Sequence, residues 1–472
     1  MTDARMIENR TFDEIAVGDT ASLSRTLRDE DIKLFALVSG DVNPAHLDAD
    51  YAATDLFRRV IAHGMWGGGL ISAVLGTELP GPGAIYLSQS LRFSGPVGLG
   101  DTITATVTVA EKRAEHDVVV FDCSCLNQKG EEVIVGRAEV KAPREKVRRP
   151  RVELPDIHLV ERRGYKRLME RVAGCEPTIT VVAHPCTAAA VAAVVEAADE
   201  GLIAPILVGP EAKVRKAAEE AGKDISAIRL VPADHSHDAA AKAVALVRGG
   251  EAKILMKGSL HTDEMMGAVV ASASGLRTER RISHAYVMAV ADHPAPLIIT
   301  DAAINIAPSL EEKADIIRNA IDLARVIGIE EPRVAILCAV ETVNPAMPAT
   351  LDAAALCKMA DRGQIVGGLL DGPLAFDNAI SLAAAREKGI DSPVAGRADI
   401  LLVPNIEAGN MLAKQLTFLG DADAAGIVLG ARVPIVLTSR ADSLRTRLAS
   451  CAVAVLLAHA ATKAAPGAAV RA

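Results

Sequence analysis

The chain has 472 residues, of which 50% are hydrophobic and 24% charged, and this balance is typical of a soluble globular protein with two or three domains. A formal net charge of −9 argues against nucleic acid as the main partner. The seven cysteines lack zinc-ligand spacing, and their odd number and scatter predict reduced thiols rather than a disulfide framework.

Residues 1–142 have the pattern of helices combined with strands. Apolar residues at helical spacing predict a helix that ends at Gly40, and a nearly all-apolar stretch predicts a buried helix over 64–79. Alternating stretches rich in Val, Thr and Ile predict four strands, at 85–93, 102–111, 118–127 and 132–141. This pattern predicts an α+β domain.

Residues 143–155 break the pattern. Pro143, Pro150 and Pro155 interrupt it, and six Lys and Arg side chains between 141 and 151 make it basic. We interpret this segment as an extended linker with solvated charges. Contact with an anionic ligand is the less favoured interpretation.

One short stretch of the first domain carries groups suited to acid–base chemistry. Residues 41–46 read Asp-Val-Asn-Pro-Ala-His, and the Asn and Pro between Asp41 and His46 favour a turn. A turn can direct a carboxylate and an imidazole at one water, which they can deprotonate together. An ordinary Asx-turn with a surface histidine is the alternative.

Residues 63–65 read His-Gly-Met, and Ser72 follows eight residues after Gly64. Together with residues 41–46, this order resembles the MaoC-like, (R)-specific enoyl-CoA hydratases of the hotdog fold over about the first 140 residues. The resemblance implies that Asp41 and His46 activate the water added to a 2-enoyl thioester. It further implies that the backbone N–H of Gly64 polarises the thioester carbonyl, and that Asn43 and Ser72 belong to the substrate site.

Beyond the linker, short apolar runs alternate with helical patterns such as 310–327. Strands are predicted at 179–183, 206–209, 253–256, 297–300, 334–338, 400–404 and 434–438. This alternation predicts a mainly parallel sheet with helices on both faces. Neither a Walker A motif nor a strand–GxGxxG–helix unit supports ATP or NAD(P) binding.

Polar residues and glycines cluster directly after several of these apolar runs, where α/β enzymes place their sites. Each cluster alone is explained by a helix cap or a turn. The candidate residues are Lys257, Asp301, Asp371, Asp377 and the stretch Thr438–Ser443.

In this order, the clusters resemble the phosphate acetyltransferase/butyryltransferase family from about residue 155 to the end. The resemblance implies that Arg440 stabilises developing charge and that Ser439 hydrogen-bonds the CoA sulfur. The family's proposed base is replaced by Thr446. The candidate base is Asp442, the nearest carboxylate, and phosphate itself or water is the alternative acceptor of the thiol proton. The remaining candidates are assigned to substrate binding: Lys257, Arg280, Asp301, Asp371 and Asp377.

These resemblances predict a hotdog domain over 1–142, a linker over 143–155, and a phosphotransacetylase region over 156–472 with two α/β subdomains and an isocitrate-dehydrogenase-like fold. The expected function is reversible hydration of trans-2-enoyl-CoA combined with reversible acyl transfer between CoA and orthophosphate. One alternative makes the hotdog part a non-catalytic oligomerisation or CoA-binding module. Another makes the second part a metal-dependent decarboxylating dehydrogenase.

The expected ligands are acyl-CoA, CoA, orthophosphate and acyl phosphate, with no tightly bound cofactor and no built-in metal, although assistance by Mg²⁺ or K⁺ stays open. We expect a cytoplasmic homo-oligomer of even order without nucleic-acid or membrane partners. No segment at the N-terminus resembles a secretory signal, and the longest apolar run, near 451–461, is too short for a bilayer.

Overall fold

The computed structural model describes residues 6–152, 154, 157, 163–290, 293, 295–438 and 442–464. It divides the chain into two units, Met1–Leu159 and Val160–Ala472. The strands of the first unit are β1 (Met6–Glu8), β2 (Thr20–Thr26), β3 (Ile85–Phe93), β4 (Thr102–Arg113), β5 (Val118–Leu126), β6 (Glu132–Lys141) and β7 (Arg148–Pro150). Its helices are α1 (Asp29–Ser39), α2 (Pro44–Leu47), α3 (Ala49–Thr54) and α4 (Gly64–Thr77), with short 3₁₀ turns at Phe12–Glu14 and Glu115–Asp117.

An antiparallel sheet in the order β2-β4-β5-β6-β3 packs against α4 in this unit. Buried and part-exposed residues alternate along most of β4, because successive strand side chains point to opposite faces. Phe121 on β5 and Ile71 on α4 are fully buried in the shared core. The predicted α+β arrangement is confirmed, but α4 ends two residues before the predicted boundary at Leu79, whose proline neighbour disfavours helix.

The segment predicted as a free linker is partly ordered against the first unit. β7 pairs antiparallel with β1, and the Asn9 side chain bonds the backbone of residues 145 and 147. Lys146 pairs with Glu14 at 2.9 Å, and Arg144 pairs with Asp117 at 2.6 Å. The segment is therefore docked on the first unit over 143–150 rather than free, while its Lys and Arg side chains are exposed as predicted.

The second unit is built on one eleven-stranded sheet. Its strands are β8 (Thr178–Ala183), β9 (Ile203–Gly209), β10 (Arg229–Pro232), β11 (Ile254–Lys257), β12 (Ser283–Ala289), β13 (Leu297–Thr300), β14 (Arg333–Leu337), β15 (Leu369–Leu374), β16 (Ile400–Leu402), β17 (Asp423–Leu429) and β18 (Ile435–Val436). Its helices are α5 (Arg163–Val172), α6 (Ala188–Asp199), α7 (Glu211–Ala221), α8 (Ser236–Arg248), α9 (Thr262–Val270), α10 (Leu310–Val326), α11 (Pro348–Asp361), α12 (Phe376–Ile380), α13 (Leu382–Glu387), α14 (Ile406–Phe418) and α15 (Leu444–Ala464).

The sheet order is β10-β9-β8-β11-β18-β17-β12-β13-β16-β14-β15. Pairing is parallel from β10 to β18 and again from β13 to β15, which confirms the predicted mainly parallel sheet. The three junctions around β17 and β12 are antiparallel, however. The two parallel groups therefore run in opposite directions, and their carboxyl ends lie at opposite edges of the sheet.

The last helix, α15, is long and apolar enough to cross a membrane by length and composition, with a mean hydropathy of 1.3 over its most apolar window. Residues Cys451 to Val455 are nevertheless buried in the largest core of the second unit. The helix is longer than the predicted apolar run near 451–461 because it also includes polar residues such as Arg445 and Arg447. Its buried residues explain its composition, because a helix inside a core is apolar on most sides.

Candidate functional sites

The turn after α1 presents Asp41 at the surface of the first unit. α1 ends at Gly40, which adopts a left-handed conformation (φ 75°) that glycine accepts without steric cost. Asn43 then caps α2, because its side-chain oxygen accepts the N–H of Ala45 at 3.1 Å. Asn43 therefore positions the helix that carries His46, and its membership of the substrate site stays a prediction.

The imidazole of His46 is held in one orientation by the backbone. Its Nδ1 lies 2.9 Å from the carbonyl oxygen of Ile61. Because a carbonyl only accepts, Nδ1 carries the hydrogen and Nε2 keeps its lone pair. The structure thus leaves the acceptor nitrogen of His46 available for a proton.

His63 completes this cluster and was not predicted as a site residue. It is 3% exposed, its ring centroid lies 4.0 Å from that of His46, and its Nε2 lies 3.0 Å from the backbone oxygen of Asp41. One potential ligand atom from each of Asp41, His46 and His63 lies within 4.8 Å of the other two. The predicted convergence of Asp41 and His46 is thus present in the structure, with a second histidine beside it.

Gly64 follows His63 directly and is the first residue of α4, where backbone N–H groups have no partner within the helix. A Cβ at this position would lie 3.0 Å from the ring of Phe93, so a larger residue would have to displace that ring. Ser72 is exposed on the same helix, about 12 Å further along its axis. Gly64 therefore lies beside the cluster, and Ser72 lies two turns away.

In the second unit, the site residues predicted after strands fall at two edges of the sheet. Lys257 ends β11, and Asp442 follows the neighbouring parallel strand β18, so both lie toward one edge. Asp301 follows β13, and Arg280 precedes β12, which runs antiparallel to β13, so both lie toward the opposite edge. They lie at two edges because the antiparallel strands β17 and β12 reverse the direction of the sheet.

Asp301 is buried, and its carboxylate is saturated by groups of the protein. One oxygen accepts the N–H groups of Ala303 and Ile304, and the other accepts from the backbone N–H of His284 and from both the backbone N–H and the side-chain amide of Asn305. A carboxylate with five such donors holds the loop after β13 rather than a ligand. The assignment of Asp301 to direct substrate binding is therefore corrected.

The other substrate-binding candidates occupy different surroundings. Lys257 is 5% exposed, and its Nζ donates to the backbone oxygen of Leu260 at 3.3 Å. Arg280 pairs with Asp322 on α10 at 3.0 Å. Asp371 lies within β15 rather than after a strand as expected, and Asp377 is exposed on α12. Ligand binding by Lys257, Arg280, Asp371 and Asp377 stays a prediction.

A buried aromatic pair lies on β12, between the two groups of parallel strands. His284 and Tyr286 contact edge to face with centroids 4.5 Å apart, and both ring nitrogens of His284 are buried without a hydrogen-bond partner among the described residues. Gly426 on β17 leaves room for them, since a Cβ there would meet both rings within 3.3 Å. Burial, with the charge of Asp442 adding to it, raises the pKa of Tyr286 to about 12. Asp442 therefore acts electrostatically on Tyr286, an effect that no sequence motif indicates.

Comparison with known proteins identifies both parts of the chain. The model of the phosphate acetyl/butaryl transferase family matches residues 233–455, and that of the MaoC like domain matches residues 15–124. A phosphate acetyltransferase of Rhizobium meliloti is 65% identical over 294 residues, which are 62% of this chain and 93% of the relative. The chain belongs to the phosphate acetyl/butaryl transferase family.

Two solved structures are similar to separate parts of this transferase. A branched-chain phosphotransacylase from Enterococcus faecalis is 31% identical, with a TM-score of 0.53, and the match covers 60% of this chain and 99% of that one. An R-hydratase from Pseudomonas aeruginosa is 46% identical, with a TM-score of 0.32, and the match covers 33% of this chain and 99% of that one. The transferase thus carries a MaoC-like domain at its N-terminal side.

Two catalytic candidates of the transferase part, Ser439 and Arg440, lie outside the described residues. Their neighbours on both sides are described. Thr438 is buried at the end of β18, and Ser443 caps α15 by accepting the N–H of Thr446 at 3.1 Å. Ser443 and Thr446 therefore have structural roles at the start of the last helix.

Proposed function

We propose that this chain is a bifunctional acyl-CoA enzyme. Its first unit hydrates trans-2-enoyl-CoA to (R)-3-hydroxyacyl-CoA, and its second unit exchanges CoA for orthophosphate on a short acyl group, both reversibly. The observation that carries the proposal is the convergence of Asp41 and His46 in a chain that is 65% identical to a phosphate acetyltransferase. A purely structural hotdog module needs no such pair, which disfavours the non-catalytic alternative.

Hydration follows from the orientation of His46. The Nδ1–H of His46 donates to the carbonyl oxygen of Ile61, so the lone pair of Nε2 is available. Nε2 accepts a proton from a water that Asp41 orients by a second hydrogen bond. The water oxygen bonds to C3 of the enoyl thioester, and the proton taken up by His46 is delivered to C2. The N–H of Gly64, at the positive end of α4, stabilises the negative charge on the thioester oxygen during this step.

Acyl transfer needs cations around phosphate and a route for the thiol proton. A phosphate oxygen attacks the thioester carbonyl, the C–S bond breaks, and the thiolate takes a proton. We assign charge stabilisation to Arg440, with Lys257 as a phosphate ligand, and hydrogen bonding of the CoA sulfur to Ser439. Asp442 is the proposed base for the thiol in the reverse direction, and it gives that proton to the departing thiolate in the forward direction.

The proposed substrates are enoyl-CoA for hydration and acetyl-CoA or acetyl phosphate for transfer. The name of the Rhizobium meliloti relative, phosphate acetyltransferase, supports the choice of the acetyl group. Among the residues that the structure describes, the group of side chains able to hold a metal is Asp41, His46 and His63 of the first unit. No such group of the second unit supports the dehydrogenase alternative among these residues.

We further propose a cytoplasmic protein, which the free thiols of all seven cysteines support. An even-numbered homo-oligomer is also proposed, and light scattering tests it.

The direct test uses purified full-length protein. Hydration is followed with crotonyl-CoA, and transfer is followed as phosphate-dependent thiol release from acetyl-, propionyl- and butyryl-CoA. Both activities in one preparation support the proposal. Transfer without hydration, at any enzyme concentration, would return the first unit to a non-catalytic role.

A further inference from the structure

Three metal-ligating side chains converge in the first unit, although the sequence shows no metal motif. Asp41, His46 and His63 each offer one ligand atom within 4.8 Å of the other two. Ligands at about 2.0–2.2 Å from one tetrahedral zinc ion are about 3.3–3.6 Å apart. The three atoms therefore have to approach one another by at most about 1.5 Å, and the exposed side chain of Asp41 has freedom to move.

Both imidazoles have the hydrogen-bond pattern of metal-ligating histidines. A backbone oxygen accepts from one nitrogen of each ring, at 2.9 Å for His46 and 3.0 Å for His63. The other nitrogen of each ring therefore carries a lone pair. This arrangement, with one ring nitrogen on a carbonyl and the other directed at the ion, fixes the tautomer and orientation that a metal needs.

An unsatisfied buried atom provides independent support. Nδ1 of His63 is buried and has no hydrogen-bond partner among the described residues. A buried acceptor without a partner costs free energy, and a bound cation would supply the missing partner. The donor set of two imidazoles and one carboxylate suits zinc and similar transition cations rather than Mg²⁺ or Ca²⁺, which prefer oxygen ligands.

We propose that Asp41, His46 and His63 bind a divalent transition cation such as Zn²⁺, and that the bound cation switches off hydration while acyl transfer continues. The inhibitory part rests on the proposed function, because the cation would occupy the lone pair of His46 that accepts the proton of water and the oxygen of Asp41 that orients this water. Binding itself does not depend on that function. The expectation of a chain without a metal site is revised accordingly.

The binding test titrates the full chain with Zn²⁺ alone by calorimetry. Wild type is compared with His63→Gln, which keeps an amide donor for the oxygen of Asp41, and with Asp41→Asn, whose exposed position makes a folding defect unexpected. His116→Gln is the matched control, because His116 is exposed on a turn of the same unit. We expect one tight site per chain in wild type and control, weakened at least tenfold in both site variants. Equal binding in all four proteins would overturn the site.

The activity test uses the same samples. Zn²⁺ should abolish crotonyl-CoA hydration in a saturable way at one equivalent, a chelator should restore it, and phosphate-dependent thiol release should stay within twofold. Tight binding with undiminished hydration would overturn the switch. If metal-free protein does not hydrate crotonyl-CoA, the proposed function of the first unit fails, and the calorimetric comparison still decides the cation site.

Discussion

The buried imidazole of His284 makes the stability of the second unit depend on pH. Burial lowers the pKa of His284 from 6.5 to about 4, while the nearby carboxylate of Asp301 acts in the opposite direction. Between these two values the unfolded chain binds a proton at this position and the folded chain does not. The folded state is therefore fully favoured above pH 6.5, and this stability is lost as the pH falls toward 4.

The substitution His284→Phe removes the titrating group and keeps an aromatic ring against Tyr286. About 2.5 pH units separate the two pKa values, and each corresponds to about 1.4 kcal/mol, so the difference reaches about 3 kcal/mol at pH 4. We expect the free energy of unfolding of the variant, relative to wild type, to rise by that amount between pH 7 and pH 4.

Urea unfolding at a series of pH values measures this difference. Far-UV circular dichroism follows the helices of the second unit, and the single tryptophan of the chain, Trp66, reports on the first unit as an internal control. The transition seen by Trp66 should be the same in both proteins. Parallel pH profiles for wild type and His284→Phe in the dichroism data would refute the reasoning.

Three further outcomes are expected. The pKa of Glu14 is lowered from 4.5 to about 2, chiefly by its hydrogen bond with Lys146. Lys146→Met should therefore raise this pKa toward 4.5 in an NMR titration, and an unchanged pKa would contradict the pairing. Gly258→Ala would place a Cβ 2.5 Å from a backbone oxygen, so it should lower the free energy of unfolding by about 1–3 kcal/mol in melting experiments and remove most transfer activity in thiol-release assays. Gly267→Ala is the control that should change neither, because its Cβ would meet nothing within 4 Å. Arg440→Ala should lower kcat of transfer by about 10²-fold, with partial rescue by Arg440→Lys, and a wild-type kcat in the alanine variant would remove Arg440 from the site.

Strands with clear apolar patterns were predictable from the sequence. β3 and β6 have the predicted boundaries, because alternating side chains with one buried face leave little ambiguity. β12 and β17 were not predicted. Ser283, His284 and Tyr286 interrupt the apolar pattern of β12, and Gly426 interrupts that of β17. These two antiparallel strands separate the polar clusters into two edges, a division that the apolar runs of the sequence do not indicate.

The candidate sites were predictable only where the residues are close in sequence. Asp41 and His46 are five residues apart in a turn, and one motif includes both. His63 reaches them across α2 and α3, so only the folded chain shows the three-residue cluster. The docking of residues 143–150 on the first unit likewise depends on partners such as Glu14, more than a hundred residues earlier. Charge and proline content alone do not report such pairings.

The central claim is that one chain performs hydration and acyl transfer at separate sites. The most direct test measures both activities in full-length Asp41→Asn and His46→Ala proteins. Crotonyl-CoA hydration should fall by at least about 10²-fold, the usual contribution of general acid–base catalysis, and phosphate-dependent thiol release from acetyl-CoA should stay within twofold of wild type. Hydration at the wild-type rate in both variants, or an equal loss of both activities, would contradict the account.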